Sequence, residues 1–153
     1  MLWHHFAIRL GFALLLGAIV GAERQWRQRT AGLRTNALVA AGAAMFVMLS
    51  ALTERPDDSF RIAGQVVSGI GFLGAGVILR NGLNISGLNT AATLWCSAAI
   101  GTLSGYGMYG SAIIGAIAVL RKCGAAPHRE SLKPRDGSSR CGDYLSVSDY
   151  GPS

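Results

Sequence analysis

The sequence predicts an all-α protein, a polytopic helical membrane protein with about five transmembrane helices, and three observations carry the prediction. Half of the residues are hydrophobic, 14 % are charged and 21 are glycine, a balance that suits a membrane protein better than a soluble domain of this size. Between Leu10 and Leu120 the charges gather almost entirely into three clusters, and the apolar intervals are long enough to span or nearly span lipid. Lys and Arg are shared unequally between alternate loops, as expected of a chain that crosses a bilayer repeatedly.

The first span is read from about Phe6 to Ala22. Its apolar stretch Leu10 to Val20 follows Arg9 and resembles a signal peptide. The cluster Arg24, Arg27, Arg29 and Arg34 behind it resists translocation, so the segment is expected to be retained. The second span runs from Thr35 to Leu52 and the third from Ile62 to Leu79, 18 residues each, close to the ~20 required by a ~30 Å hydrocarbon layer. A fourth stretch, Thr90 to Leu103, has 14 residues and a fifth, Tyr106 to Leu120, has 15. Either flanking residues extend both helices or the bilayer thins. Joined, they would form one helix of about 45 Å, too long for one span, and Gly101, Gly105 and Gly107 offer a turn. Asn89 and Thr90 are placed to cap the fourth helix.

Residues 1–120 thus form the transmembrane unit. The remainder, 121–153, is rich in Ser, Gly, Pro and Arg and lacks a repeating apolar pattern. It is too short to bury a core unaided and reads as a disordered cytoplasmic tail. With five spans, residues 23–34, 80–89 and the tail lie on one side and hold eleven of the 14 basic residues, against Arg9, Arg55 and Arg61 on the other. That places the N-terminus outside and the C-terminus in the cytoplasm.

Glycine spacing bears on packing. Gly17 and Gly21 are four apart, as are Gly101 and Gly105, and small residues at this interval let helix backbones approach closely in lipid. The third span carries Gly64, Gly69, Gly71, Gly74 and Gly76 on every side. It is expected to be surrounded by neighbouring helices, or by the subunits of a homo-oligomer, rather than by lipid.

Several chemistries lack their residues. Gly69-Ile-Gly71-Phe-Leu-Gly74 matches the dinucleotide fingerprint but lies inside an apolar run, with no acid between Asp58 and Glu130, so the strand, helix and ribose-binding acid of that motif are missing. His4, His5 and Cys96 do not have metal-ligand spacing, and Cys96, Cys123 and Cys141 form no even disulfide framework. No Ser, Cys or Lys has a neighbouring base at a recognisable spacing, so the chain is not expected to be an enzyme, nor to hold a cofactor or metal. The net charge of +6 flanks apolar runs instead of forming a face for nucleic acid. A hard-cation path calls for carboxylates facing a bundle interior. Of eight acids only Glu23 lies near a span, amid arginines.

The densest polar patch is Glu23, Arg24, Arg27 and Arg34, with Trp26 as an interfacial anchor. It satisfies positive-inside topology without further function. Alternatively, Glu23 pairs with Arg27 one turn on, while Arg34, Thr35 and Asn36 present a polar surface to a partner. Asn84, Ser86, Asn89 and Thr90 at the entry of the fourth span raise the same pair of readings.

Three stretches together are similar to a known family: GAERQWRQRTAGLRTNALVAAGAAMFVMLS (21–50), RIAGQVVSGIGFLGAGVILR (61–80) and GLNTAATLWCSAAIG (87–101). They resemble the N-terminal membrane domain of the MgtC/SapB family of bacterial inner-membrane proteins, over roughly residues 5–120. The resemblance implies a multi-pass plasma-membrane protein tied to growth in low Mg²⁺ and, in intracellular pathogens, to survival within macrophages. It implies a regulator that contacts membrane proteins such as the ATP synthase; the older alternative is a transporter or channel subunit for Mg²⁺ or another divalent cation. The family's glutamate-arginine motif falls on Glu23, Arg24, Arg27 and Arg34, its glycine-rich span on Gly69, Gly71, Gly74 and Gly76, and its functional asparagine on Asn89, beside Thr90 and Trp95. Close relatives continue into a small α/β domain resembling ACT domains. Here the residues after Leu120 depart from that pattern, through a natural short form or a late frame shift, and the departure bears on whether this copy is active.

Overall fold

A computed structural model of the chain describes residues 3–50, 56–81 and 84–125. Five α-helices follow in the order α1 (Trp3–Trp26), α2 (Leu33–Ser50), α3 (Pro56–Val77), α4 (Leu88–Gly105) and α5 (Tyr109–Ala125), with β1 (Leu79–Asn81) and β2 (Asn84–Ser86) between α3 and α4. The helical class is that expected from sequence. The expected tail beyond 125, and residues 51–55 with Glu54 and Arg55, lie outside the described residues.

Flanking residues lengthen the two short segments. α4 reaches 18 residues and α5 reaches 17, the latter continuing to Ala125, into the stretch assigned to the tail. The stretch read as a plain loop from 80 to 89 instead contains an antiparallel pair, with Leu79 opposite Ser86, Arg80 opposite Ile85 and Asn81 opposite Asn84. The Asn81-Gly82 step in the sequence is the hairpin signal that the apolar pattern concealed. The cap expected of Asn89 and Thr90 is also corrected. α4 opens two residues earlier, after Gly87 at φ 91, and no side chain caps it. A Cβ at Gly87 would collide with the Val77 carbonyl, so glycine there lets the chain enter α4 against the end of α3.

Two helix ends close by the same device. At the end of α4, Met108 N–H donates to Leu103 O (2.9 Å) and Gly107 N–H to Ser104 O (3.0 Å), with Gly107 at φ 80. This is a Schellman motif, which satisfies carbonyls left over by the last turn. α1 ends likewise, with Arg29 N–H on Arg24 O and Gln28 N–H on Gln25 O, each 3.0 Å. There the left-handed position is Gln28, at φ 53, a conformation that costs a side-chain-bearing residue free energy.

α2 and α4 form the centre. α1 packs on both, α3 lies against α2 and α4, and α5 lies against α1 and α4. Ala13, Ala44 and Met48 fill the α1–α2 contact; Ala43, Ile70, Leu94 and Ala98 join α2, α3 and α4; Leu16, Val20, Ile100, Ala112 and Ala116 join α1, α4 and α5. Phe12 meets Tyr109 edge-on at 4.9 Å between ring centroids. The core is dominated by alanine because the backbones lie close, and its stability therefore rests on dense van der Waals contact.

The glycines set that distance. A Cβ at Gly17 would sit 2.8 Å from Ala40 Cβ and Asn36 O, and one at Gly21 would sit 2.6 Å from Leu33 Cα. Gly101 lies against the Ala40 carbonyl so closely that a Cβ would overlap it, and Gly105 faces Ala44 O in the same way at 2.8 Å. Among the described residues, the surround expected for the glycines of α3 is not made. Gly64, Gly69, Gly71 and Gly76 have open space, and Gly74 alone is near a neighbour, Ala91 Cβ at 3.7 Å. α3 sits at the edge of the bundle, so most of its small-residue surface faces away from it.

α1 and α2 are each long and apolar enough to cross a membrane. In α3 the apolar part is shorter, Arg61–Val77. α4 has the length, but Asn89, Thr90, Thr93, Ser97, Thr102 and Ser104 lower its hydropathy. Three of these turn inward on their own helix: the hydroxyls of Thr93, Thr102 and Ser104 donate to the carbonyls of Asn89, Ala98 and Ile100 at 2.7–2.9 Å. Such back-bonding hides polarity that a residue-by-residue hydropathy sum counts in full.

Candidate functional site

The polar residues collect where α1 ends and α2 and α4 begin. Arg24 lies in the last turn of α1 and is 5 % exposed. Its Nη2 donates to Thr90 Oγ1 at 2.7 Å and to Thr30 O at 3.3 Å, and the Thr90 hydroxyl also reaches Thr30 O at 3.4 Å. The reversal at Gln28 is what carries Thr30 back over Arg24. Hydrogen bonds to a charged donor contribute about 1.5–3 kcal/mol each, so Arg24 straps the α1–α2 turn onto the first turn of α4. Its positive charge and the positive end of the α4 dipole then lie together, giving this end of the bundle a field that favours anions.

A second buried connection lies beside it. Asn36, expected at a partner-facing surface with Arg34 and Thr35, is fully buried. Its Nδ2 donates to Ala31 O at 2.8 Å and Gly32 O at 2.9 Å, while Oδ1 accepts from Ser97 Oγ at 2.9 Å. Asn36 thus anchors the α1–α2 turn to α4 from inside. The sequence signal was faint: a single Asn among Ala and Val, on the same helical face as Ala40, Ala43 and Val47. Arg34 and Thr35 are exposed.

Glu23 and Arg27 form an ion pair one turn apart on the α1 surface. Arg24, Arg27 and Arg29 line a cleft of about 380 Å³ with Asn89, Ala92, Thr93 and Cys96 of α4 and Ala118, Val119 and Lys122 of α5. The cleft therefore unites Arg24, Arg27 and Asn89 from the sequence-derived candidates, and adds Arg29, Thr93 and Lys122. Thr90 stands behind it, bound to Arg24. Arg34 and Trp95 are not among its lining residues. Trp95 is half exposed on α4 and Trp26 is 88 % exposed at the end of α1. Among the described residues there is no group of three or more His, Cys, Asp or Glu that could hold a metal ion. His4 and His5 lie with ring centroids 4.6 Å apart on the exposed start of α1.

The sequence profile described as the MgtC family matches residues 10–127. The chain belongs to the MgtC family. It is 62 % identical over 120 residues to Protein MgtC of Salmonella typhimurium, covering 78 % of this chain and 52 % of that protein. It is 53 % identical over 123 residues to Protein MgtC of Brucella abortus, covering 78 % and 52 %, and 58 % identical over 120 residues to an uncharacterized protein of Synechocystis, covering 78 % and 51 %. The chain spans about half the length of the curated relatives it matches. No solved structure matches it. The matched MgtC region includes all five helices apart from the first residues of α1, and hence the whole of the cleft.

Proposed function

We propose that this MgtC-family chain is a multi-pass protein of the bacterial inner membrane that supports adaptation to low Mg²⁺ and intracellular survival by regulating other membrane proteins. On this reading all five helices cross the bilayer, the N-terminus is outside, and the end of the bundle bearing Arg24, Arg27, Arg29 and Lys122 faces the cytoplasm. Its partner is a membrane complex such as the ATP synthase. The observation that carries the reading is the convergence of Arg27 from the turn after α1, Asn89 from α4 and Lys122 from α5 on one open cleft. A recognition surface needs such accessible polar groups on a fixed frame, and the Arg24 and Asn36 connections supply the frame.

The carrier alternative draws less support. A divalent cation path requires carboxylates along the interior. Glu23 is held by Arg27 at one end of the bundle, and Asp57 and Asp58 fall in the first turn of α3, at the end of that helix and not along its length. The interior polar pair Asn36–Ser97 is saturated by its own hydrogen bonds, which suits holding helices together better than passing ions.

The test is ATP-driven proton pumping in inverted inner-membrane vesicles from cells with and without the chain, matched for ATP synthase content. Slower pumping with the chain present, restored by Asn89→Ala at equal expression, is the expected result. Unchanged pumping would remove the ATP synthase as partner. Mg²⁺ movement into liposomes holding the purified chain would favour the carrier instead.

A further inference from the structure

We infer that the cleft between α1, α4 and α5 binds the phosphate headgroup of an anionic phospholipid, with an acyl chain following its apolar floor. The inference rests on the membrane placement proposed above, which sets the basic end of the bundle at headgroup level.

Charge and depth are arranged in order along the cleft. On α4 the lining residues Asn89, Ala92, Thr93 and Cys96 fall at intervals of three, four and seven, which is one helical face descending about 10 Å from the first turn toward the middle of the bundle. On α5, Lys122 lies near the helix end, and Ala118 and Val119 lie a turn deeper. Arg27 and Arg29, just beyond the last turn of α1, join Lys122 at the mouth, with the buried Arg24 behind them. Three exposed cations and the Asn89 amide therefore surround the entrance, while Ala92, Thr93, Cys96, Ala118 and Val119 line the rest. A free phosphate would use the entrance alone. An amphiphile with a phosphodiester head and a hydrocarbon tail matches both ends, and basic pockets between helices on the cytoplasmic side are known to suit such headgroups. Glu23, the carboxylate beside the mouth, is paired to Arg27 and is not among the lining residues, so the entrance keeps a net positive charge.

The experiment is native mass spectrometry of the full chain released from nanodiscs of phosphatidylcholine doped with phosphatidylglycerol. It compares Arg29→Gln/Lys122→Gln with the charge-matched Arg34→Gln/Arg121→Gln, whose residues are exposed and lie outside the cleft. The expected result is selective retention of phosphatidylglycerol by the native chain. The cleft variant should weaken it roughly thirtyfold, and the control should retain it. Ala118→Trp, which fills the floor from an exposed position, should reduce lipid retention as well. Equal loss in both double variants, or no preference for phosphatidylglycerol over phosphatidylcholine, overturns the site. Binding of inorganic phosphate to the detergent-solubilised chain that needs Arg29 and Lys122 but ignores Ala118→Trp assigns the cleft to a free anion and overturns the lipid. A chain that fails to float with vesicles overturns the membrane placement too, whereas one that floats without selectivity overturns the cleft alone.

Discussion

Arg9 Nη1 donates to the main-chain oxygen of Gly105 at 2.9 Å, joining an early turn of α1 to the last residue of α4 across 96 positions of sequence. The same guanidinium lies over Gly107, where a Cβ would come within 3.1 Å of Nη2. At the opposite ends of these helices Arg24 binds Thr90. Two arginines on α1, about 22 Å apart along the helix, thus clasp both ends of α4. The Arg9 contact is with the negative end of the α4 dipole and is favourable; the Arg24 contact is made at the positive end.

For Arg9→Gln the expected loss is about 1 kcal/mol, from the hydrogen bond and the dipole interaction together. Thermal unfolding of the detergent-solubilised chain measures it. An unchanged Tm would show that the α4 carbonyls are satisfied without Arg9.

Arg24→Ala should loosen the turn from Arg27 to Gly32 by removing its tie to Thr90 and Thr30. Limited trypsin digestion should then cleave after Arg27 or Arg29 several-fold faster than in the native chain, because cleavage follows the population of the opened turn. Equal rates would mean that Asn36 alone holds the turn.

Asn36→Ala deletes three hydrogen bonds. Interhelical hydrogen bonds of membrane proteins average about 0.6 kcal/mol, so the expected loss is roughly 2 kcal/mol, with Ser97→Ala costing less. A double-mutant cycle on the two residues should give a positive coupling. Strict additivity would contradict the direct Asn36–Ser97 contact.

Gly101→Ala should destabilise by about 1–3 kcal/mol or more, since the added methyl meets backbone that cannot rotate away. Gly64→Ala, in open space on α3, should be neutral or stabilising by up to ~1 kcal/mol through helix propensity. The contrast between the two in chemical or thermal unfolding is the measurement. Similar losses at both sites would show that the α3 face is also packed.

Gln28→Gly should stabilise by about 1 kcal/mol, since glycine adopts the left-handed conformation without the Cβ penalty. A lower Tm would indicate that the Gln28 side chain contributes more than its backbone costs.

The legible part of this fold was the helices. Apolar runs bounded by charged residues marked out α1, α2 and α3, the excess length of the last run with Gly101, Gly105 and Gly107 divided α4 from α5, and glycines four apart, such as Gly17 and Gly21, marked where backbones meet. The illegible parts share a cause: each depends on a partner distant in sequence. Asn36 reads as an exposed polar residue until Ser97, 61 positions away, is beside it. Thr90 reads as a helix cap until Arg24 occupies its hydroxyl. Arg29 reads as part of the cluster that resists translocation and Lys122 as part of the tail, and the cleft that unites them with Asn89 exists only once α1, α4 and α5 are packed. The hairpin was concealed for another reason. Its strands are three residues each, too short for an alternating pattern to emerge.

The clasp of α1 on α4 also dictates an order of events during synthesis. Arg9, Arg24 and Asn36 leave the ribosome before any of the α4 groups that will receive them. At ordinary elongation rates the interval between Arg9 and Gly105 is about 5–20 s. On the proposed membrane placement, Arg9 waits that long for its α4 partner, and Arg24 and Asn36, 66 and 61 positions from Thr90 and Ser97, wait about two thirds as long. Nascent chains halted before α4 should therefore remain in contact with the insertion machinery, and those halted after Gly105 should be released.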